Sequence, residues 1–252
     1  MNPEIPILYE DPDLLIVNKP AGLPTQGVGE TTTSLIALQY PEILLLPDQG
    51  AVHRLDNDTS GLVVIARNQK CWEAMRELFS RNQVQKEYFA LVWGKVLAKG
   101  EIDLPIGSDP KSSKRVKVYR NKKEAVRNRA QSAVTFYEPV QATRTGGEGR
   151  APGRAERVST AGRNLRQDPS TWLRIRIKTG RRHQIRAHLA AIGHPVVGDK
   201  IYKNQPVTHV PGTEKSRHCL HATSLRFRHP QTGREFFVEA PLPPDMREMI
   251  PK

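Results

Sequence analysis

The densest run of reactive side chains is Val52-His53-Arg54-Leu55-Asp56-Asn57-Asp58-Thr59-Ser60-Gly61, which leads into the apolar stretch Gly61–Ala66. A loop that feeds a buried strand holds its side chains on a rigid support, a common setting for catalytic groups. Here one loop offers an imidazole, a guanidinium, two carboxylates and two hydroxyls. Turn-forming and capping roles account for Asn57, Asp58 and Thr59 equally well, because short polar side chains bond their own backbone in turns. A second cluster, Lys178-Thr179-Gly180-Arg181-Arg182-His183-Gln184-Ile185-Arg186, joins a predicted strand to a predicted helix. Basic side chains beside the free N–H groups of a helix start favour an anion, either a phosphate or a carboxylate from elsewhere in the chain.

Other chemistries lack their residues. No Gly-rich phosphate loop with its lysine is present, and the eight histidines include no HExxH pair. His183 and His188 are off the one-turn spacing of helical ligands. His218, Cys219 and His221 lie close together without a second ligand pair, so no metal site is expected. Cys71 and Cys219 give no disulfide framework and are expected as buried, reduced thiols.

The elements that must position these groups follow from apolar spacing. Ile7–Glu10 and Leu14–Asn18 flank the turn signal Asp11-Pro12-Asp13 and predict a hairpin. Lys19-Pro20-Ala21-Gly22-Leu23-Pro24-Thr25 is a loop of fixed shape, since both prolines restrict the backbone. Thr33–Tyr40 predicts a short helix ended by Pro41. Asn68 caps a helix whose Cys71/Trp72, Met75 and Leu78/Phe79 recur at helical spacing, and that stripe is core. Gln85–Trp93 alternates as a strand, with Tyr88, Ala90 and Val92 on one face. Ala130–Tyr137, Trp172–Lys178, Leu220–Arg228 and Arg234–Glu239 predict further strands, the last two joined as a hairpin. Arg182–Ile192 predicts a helix stopped by Gly193.

Charge narrows the partner. The 252 residues carry 39 basic against 26 acidic side chains, a net charge of +13. So basic a chain is expected to meet a polyanion, because each neutralised phosphate releases counterions; a basic surface without a partner is the alternative. Lys111–Arg129 concentrates nine basic residues around one acid and reads as an RNA-facing hairpin or a solvated loop. Between Ala142 and Ser170, six arginines and five glycines accompany only Val158 and Leu165 among larger aliphatics. That stretch is expected to be a flexible insertion into one continuous sheet, because it buries too little to offset its ordering entropy. The apolar runs are far shorter than the roughly 20 residues of a spanning helix. The start, MNPEIPILYEDPD, lacks the basic and apolar regions of a signal peptide. A cytoplasmic protein outside the membrane is expected.

Taken together, the motifs resemble the RluA-type pseudouridine synthases. The resemblance rests on HRLDNDTSG (His53–Gly61), VNKPAGLPT near the start, KEYFALVWG around Tyr88, TGRRHQIRAHLAAIGHPVVGD from Thr179 and the closing HATSLRF, in the family's order. It covers about residues 5 to 245, the insertion apart. It implies an α+β pseudouridine synthase fold: a curved, mostly antiparallel mixed sheet with flanking helices and a central RNA-binding cleft, here as a single catalytic domain over residues 1–252. It also implies isomerisation of uridine in structured ribosomal or transfer RNA by a monomer that needs no cofactor. Asp56 matches the catalytic aspartate, Tyr88 the tyrosine that lies against the flipped uracil, and Arg181 the basic residue that pairs with the aspartate. Arg54 matches the arginine that enters the RNA stack, and Leu225 an apolar residue near the base. His53, Thr59, Arg182 and Arg186, from the same two clusters, are expected to contact RNA. Many relatives carry an N-terminal RNA-binding domain, whereas this chain is expected to begin at the catalytic domain. Two other classes are weighed against this reading. A non-catalytic RNA-binding module has no need of the aspartate, and a glycosidase normally needs two opposed carboxylates, where Asp58 is the only other acid in the motif.

Overall fold

Strands form where two-residue alternation or continuous apolar runs are strongest. The computed structural model describes residues 5–143, 169–202 and 217–250. In chain order the strands are β1 (Ile7–Glu10), β2 (Leu14–Lys19), β3 (Ser60–Ala66), β4 (Gln85–Trp93), β5 (Gly100–Asp103), β6 (Ile106–Asp109), β7 (Ser112–Val118), β8 (Val134–Thr143), β9 (Ser170–Ile177), β10 (Leu220–Arg228) and β11 (Glu235–Glu239). The helices are α1 (Thr32–Ile36), α2 (Gln69–Ser80), α3 (Lys122–Arg127), α4 (Gln184–Ala191) and α5 (Pro244–Arg247). This mixed, mostly antiparallel sheet with few helices is the α+β architecture expected from the sequence.

The chain divides into two compact units, and β4 and β9 contribute residues to both. In the first unit (Met1–Phe89, Ile175–Arg182, Leu220–Pro243) the strand order begins β1-β2-β3-β10, with β11 paired to β10. The β1–β2 hairpin forms as predicted, and β2 pairs antiparallel with β3, whose seven residues are all buried. Asn68 caps α2 by accepting the Cys71 N–H at 2.9 Å. The apolar stripe of α2 then packs Cys71 and Met75 against Leu14, Leu62, Val64 and Phe227. Cys71 and Cys219 are both buried and free, and burial pushes each thiol up to about 12.

The second unit (Ala90–Arg174, His183–Cys219, Pro244–Lys252) contains the antiparallel β5–β8 pair and the β6–β7 hairpin. The basic stretch 111–129 is therefore half hairpin and half helix. Ser112–Val118 is the second hairpin strand, and Asn121 caps α3 by accepting the Lys123 N–H at 2.9 Å. Helix α4 starts two residues later than predicted because His183 adopts left-handed backbone at φ 52°. Strand β8 runs through Thr143 and β9 starts at Ser170, so Ala142 and Ser170 belong to strands rather than to an insertion. Residues 144–168, the bulk of the predicted insertion, lie outside the described residues. Among the described residues no helix is long and apolar enough to cross a membrane.

Candidate active site

The loop that precedes β3 is held from beneath by two buried polar groups of the 19–25 loop. Lys19 is fully buried, and its Nζ donates to the carbonyls of Pro20 (2.8 Å), Leu23 (2.6 Å) and Asn57 (2.9 Å). The Asn57 carbonyl also accepts the Gly22 N–H at 2.9 Å. The Thr25 hydroxyl donates to the Leu55 carbonyl at 3.2 Å and accepts the Leu55 N–H at 3.1 Å. The prolines shape this loop, and Lys19 and Thr25 fasten it to the residues on either side of Asp56.

Asp56 opens a tight turn closed by the Thr59 N–H, which donates to the Asp56 carbonyl at 3.0 Å. Aspartate is favoured at the first position of such turns. The turn runs into a close approach between strands: β3 and β10 pair in parallel, with Ser60 opposite His221 and Gly61 opposite Ala222. A Cβ on Gly61 would lie 2.2 Å from the Ala222 carbonyl oxygen, and its φ of +114° suits only glycine. The buried Ser60 hydroxyl meets His221 Nδ1 at 2.9 Å. Asp56 is thus anchored on both sides while its own side chain stays partly exposed.

Tyr88 stands on β4 at 9% exposure, and its phenol is pushed above the usual 10 by burial and by the nearby charge of Asp56. The carboxylate and the phenol therefore share one environment, although they come from different motifs. On the loop after β9, Gly180, Arg181 and Arg182 are exposed, as is Arg54 before Asp56. All of these residues belong to the first unit.

Four residues expected at the RNA are engaged inward. His53 Nε2 accepts the Val64 N–H at 3.1 Å, and its ring stacks on Phe79 with centroids 4.5 Å apart. Burial, with the charge of Lys86 beside it, pushes the imidazole down to about 3. A neutral ring whose Nε2 lone pair is taken pins the loop to β3 and offers no cation to a phosphate. Thr59 is 2% exposed, and its N–H closes the turn onto the Asp56 carbonyl. Arg186 is buried in the second unit, its guanidinium forked onto Asp199 at 2.7 and 3.0 Å. A buried guanidinium requires such a partner, so this arginine is an internal support of α4. Leu225, 2% exposed, packs in the core cluster with Met75 and Phe227.

Sequence reasoning missed Lys19, placed in the loop although it ends β2, and Lys86, because lysine in a strand suggests surface. Parity is the signal that would have found Lys86. Lys86 shares the inward phase of Tyr88 and Ala90, whereas both faces of β2 are buried and Lys19 simply extends that buried strand.

Asp11, Asp13 and His229 are grouped closely enough to suggest metal ligands. Several of these atoms already hold hydrogen bonds: Asp11 Oδ1 accepts the Asp13 and Leu14 N–H groups at 2.8 Å, Asp13 Oδ1 accepts from the Asn68 amide at 2.9 Å, and His229 Nδ1 accepts the Gln231 and Thr232 N–H groups at 3.3 Å. His229 Nε2 faces Asp11 Oδ2 at 3.0 Å, so the group ties two hairpin turns together.

Comparison with known proteins identifies the family. The family described as RNA pseudouridylate synthase matches residues 13–191. The chain is 35% identical over 256 residues to the ribosomal large subunit pseudouridine synthase D of Escherichia coli K12, covering 97% of this chain and 69% of that protein. It is 34% identical to the Vibrio cholerae protein of the same name, over 96% of this chain and 69% of that one. Among solved structures, human RNA Pseudouridylate Synthase Domain Containing 1 superposes with a TM-score of 0.70 at 23% identity, over 99% of this chain and 90% of that one. Human RNA Pseudouridylate Synthase Domain Containing 4 gives 0.67 at 25% identity, over 96% and 90%. On the family match over residues 13–191 and the 35% identity across nearly its whole length, this chain belongs to the RNA pseudouridylate synthases, enzymes that isomerise uridine in RNA to pseudouridine.

Proposed function

We propose that this enzyme modifies uridine in the RNA of the large ribosomal subunit, acting in the cytoplasm as a monomer with one catalytic domain, and that Asp56, Tyr88 and Arg181 carry the chemistry. The observation that carries the reading is the partly exposed Asp56 carboxylate beside the buried Tyr88 phenol. Ribosomal RNA is supported by the substrate in the names of the bacterial relatives and by the net charge of +13. The nine basic side chains of residues 111–129, all exposed, add to that support.

The reaction breaks the bond from ribose C1′ to uracil N1, turns the base, and joins C1′ to C5, with the C5 proton leaving and N1 regaining one. Atoms and charge balance without an oxidant or an energy donor. The protein must supply a water-poor pocket, a carboxylate and a surface that retains the detached base. Asp56 is that carboxylate, and Arg181 keeps it ionised by pairing with it as the pocket loses water. The target nucleotide leaves its stack at a cost of a few kcal/mol. Tyr88 offsets part of that cost by contact with the uracil face, and Arg54 fills the vacated space. Arg182 holds a backbone phosphate.

Position-resolved pseudouridine mapping of large-subunit ribosomal RNA from cells with and without this protein tests the substrate. The reading expects at least one uridine to lose its modification when the protein is absent. Identical maps, with a difference found in transfer RNA instead, would overturn it.

A further inference from the structure

Lys86 is 7% exposed on β4, on the same face as Tyr88 and two residues before it. Among the described residues its Nζ has no hydrogen bond and no acidic partner, whereas Lys19, the other buried lysine, is caged by three carbonyls. Its neighbours are the Phe79 ring, with Nζ 5.7 Å from the centroid, and the neutral His53 imidazole. It also reaches the arginine loop, since an atom at the Cβ position of Gly180 would lie 4.0 Å from Nζ. The stem of Lys86 is buried while its Nζ keeps contact with water, and burial draws the Lys86 pKa below the usual 10.5. A cation that has no protein partner yet opens to water on the face of Tyr88 is within reach of an anionic ligand. In RNA the anionic groups are the phosphodiesters. Two residues of strand separate Lys86 from Tyr88 by about 6.5–7 Å, a reach that suits a base held by one and an adjoining phosphate held by the other.

We propose that Lys86 is a phosphate-binding residue of the active site, taking a phosphodiester that flanks the target uridine. The proposal rests on the RNA reading above. It concerns a single buried contact and is separate from the exposed basic surface of residues 111–129.

The test compares the parent with Lys86→Met, which keeps the buried stem, and Lys86→Arg, which keeps the charge. Turnover is measured on transcribed large-subunit ribosomal RNA, binding is titrated with salt, and thermal midpoints are recorded. Lys86→Met is expected to melt no lower than the parent and to raise KM about tenfold. It should also flatten the slope of log affinity against log salt by just under one unit, the loss of one phosphate contact. Lys86→Arg should keep the parent salt slope. Parent KM and parent slope in Lys86→Met would overturn the proposal and leave a lysine whose stem packs while its tip meets water. A lowered melting point in Lys86→Met with the same KM defect in Lys86→Arg would also overturn it, in favour of a packing role. A synthetic oligonucleotide spanning a uridine that the parent converts gives an independent reading. A neutral methylphosphonate at the flanking linkage should weaken binding by the parent and leave binding by Lys86→Met unchanged; an equal loss in both proteins would sink the proposal. A parent that converts no RNA would count against the function itself, while the salt slopes would still report on Lys86.

Discussion

Replacing Lys19 by Met tests whether the loop that carries Asp56 is held from below. The substitution keeps the stem but removes an ammonium that donates to three carbonyls at 2.6–2.9 Å. A hydrogen bond to a charged group is worth about 1.5–3 kcal/mol, so three give a gross loss of about 4.5–9 kcal/mol. Part of this returns, because Met carries no buried charge and the desolvation penalty of several kcal/mol disappears. The Asn57 carbonyl also keeps the Gly22 N–H as a donor. A net loss of about 2–4 kcal/mol remains, which for a chain of this size lowers Tm by roughly 5–15 °C. Turnover should fall further than stability requires, because displacing a reacting group by about 1 Å costs on the order of a hundredfold. Thermal unfolding followed by circular dichroism, and saturating turnover measured well below the variant's Tm, read the two effects separately. A Lys19→Met protein with the parent's Tm and turnover would refute the reasoning. The contrast with Lys86→Met is part of the prediction: deleting a cation caged by three carbonyls destabilises, and deleting one whose tip reaches water does not.

At Tyr88, substitution by Phe and by Leu separates stacking from proton transfer. If the ring only holds the base, Phe keeps RNA affinity and Leu loses about 1–3 kcal/mol of it; if the hydroxyl moves a proton, Phe binds normally and turns over at least about a hundredfold more slowly. Parent behaviour in both would remove Tyr88 from the site. In the second unit, burial raises the Asp199 carboxyl, but the hydrogen bonds and charge of Arg186 outweigh it and hold the group below 3.8. The stability it contributes is therefore complete above the unfolded value and lost as pH falls through the folded one. Asp199→Asn should cost about 3–5 kcal/mol at neutral pH by stranding the Arg186 charge, and denaturant titrations of both proteins should converge as the pH drops below 3.8. A constant gap across that range would contradict the pairing.

Much of the fold was legible because it follows from local pattern. The nearly continuous apolar run of β3 and the alternation of β4 and β10 mark their strands, and Asn68 marks the start of α2. Asp56 was legible as part of a reactive loop before a buried strand. What stayed hidden depends on tertiary surroundings that residue type does not report. His53 has the chemistry of an RNA contact, yet Phe79 and the Val64 N–H claim its ring. Arg186 sits among exposed arginines in sequence, but the turn of α4 carries it inward to Asp199. The boundary of α4 was missed because left-handed backbone at His183, a non-glycine residue, has no strong sequence signature. Lys19 ends a strand buried on both faces and Lys86 follows the inward parity of β4, where lysine is seldom expected.

The most direct test is the conversion of uridine to pseudouridine in large-subunit ribosomal RNA by the purified parent and by Asp56→Asn, with RNA affinity measured alongside. Asparagine preserves the shape of the turn and removes the charge and nucleophilicity. The parent should convert at least one mapped uridine, while the variant binds RNA within a fewfold of the parent and converts none at the same position. Conversion by Asp56→Asn within about tenfold of the parent rate, roughly 1.4 kcal/mol in the barrier, would contradict the assignment of Asp56 as the essential carboxylate.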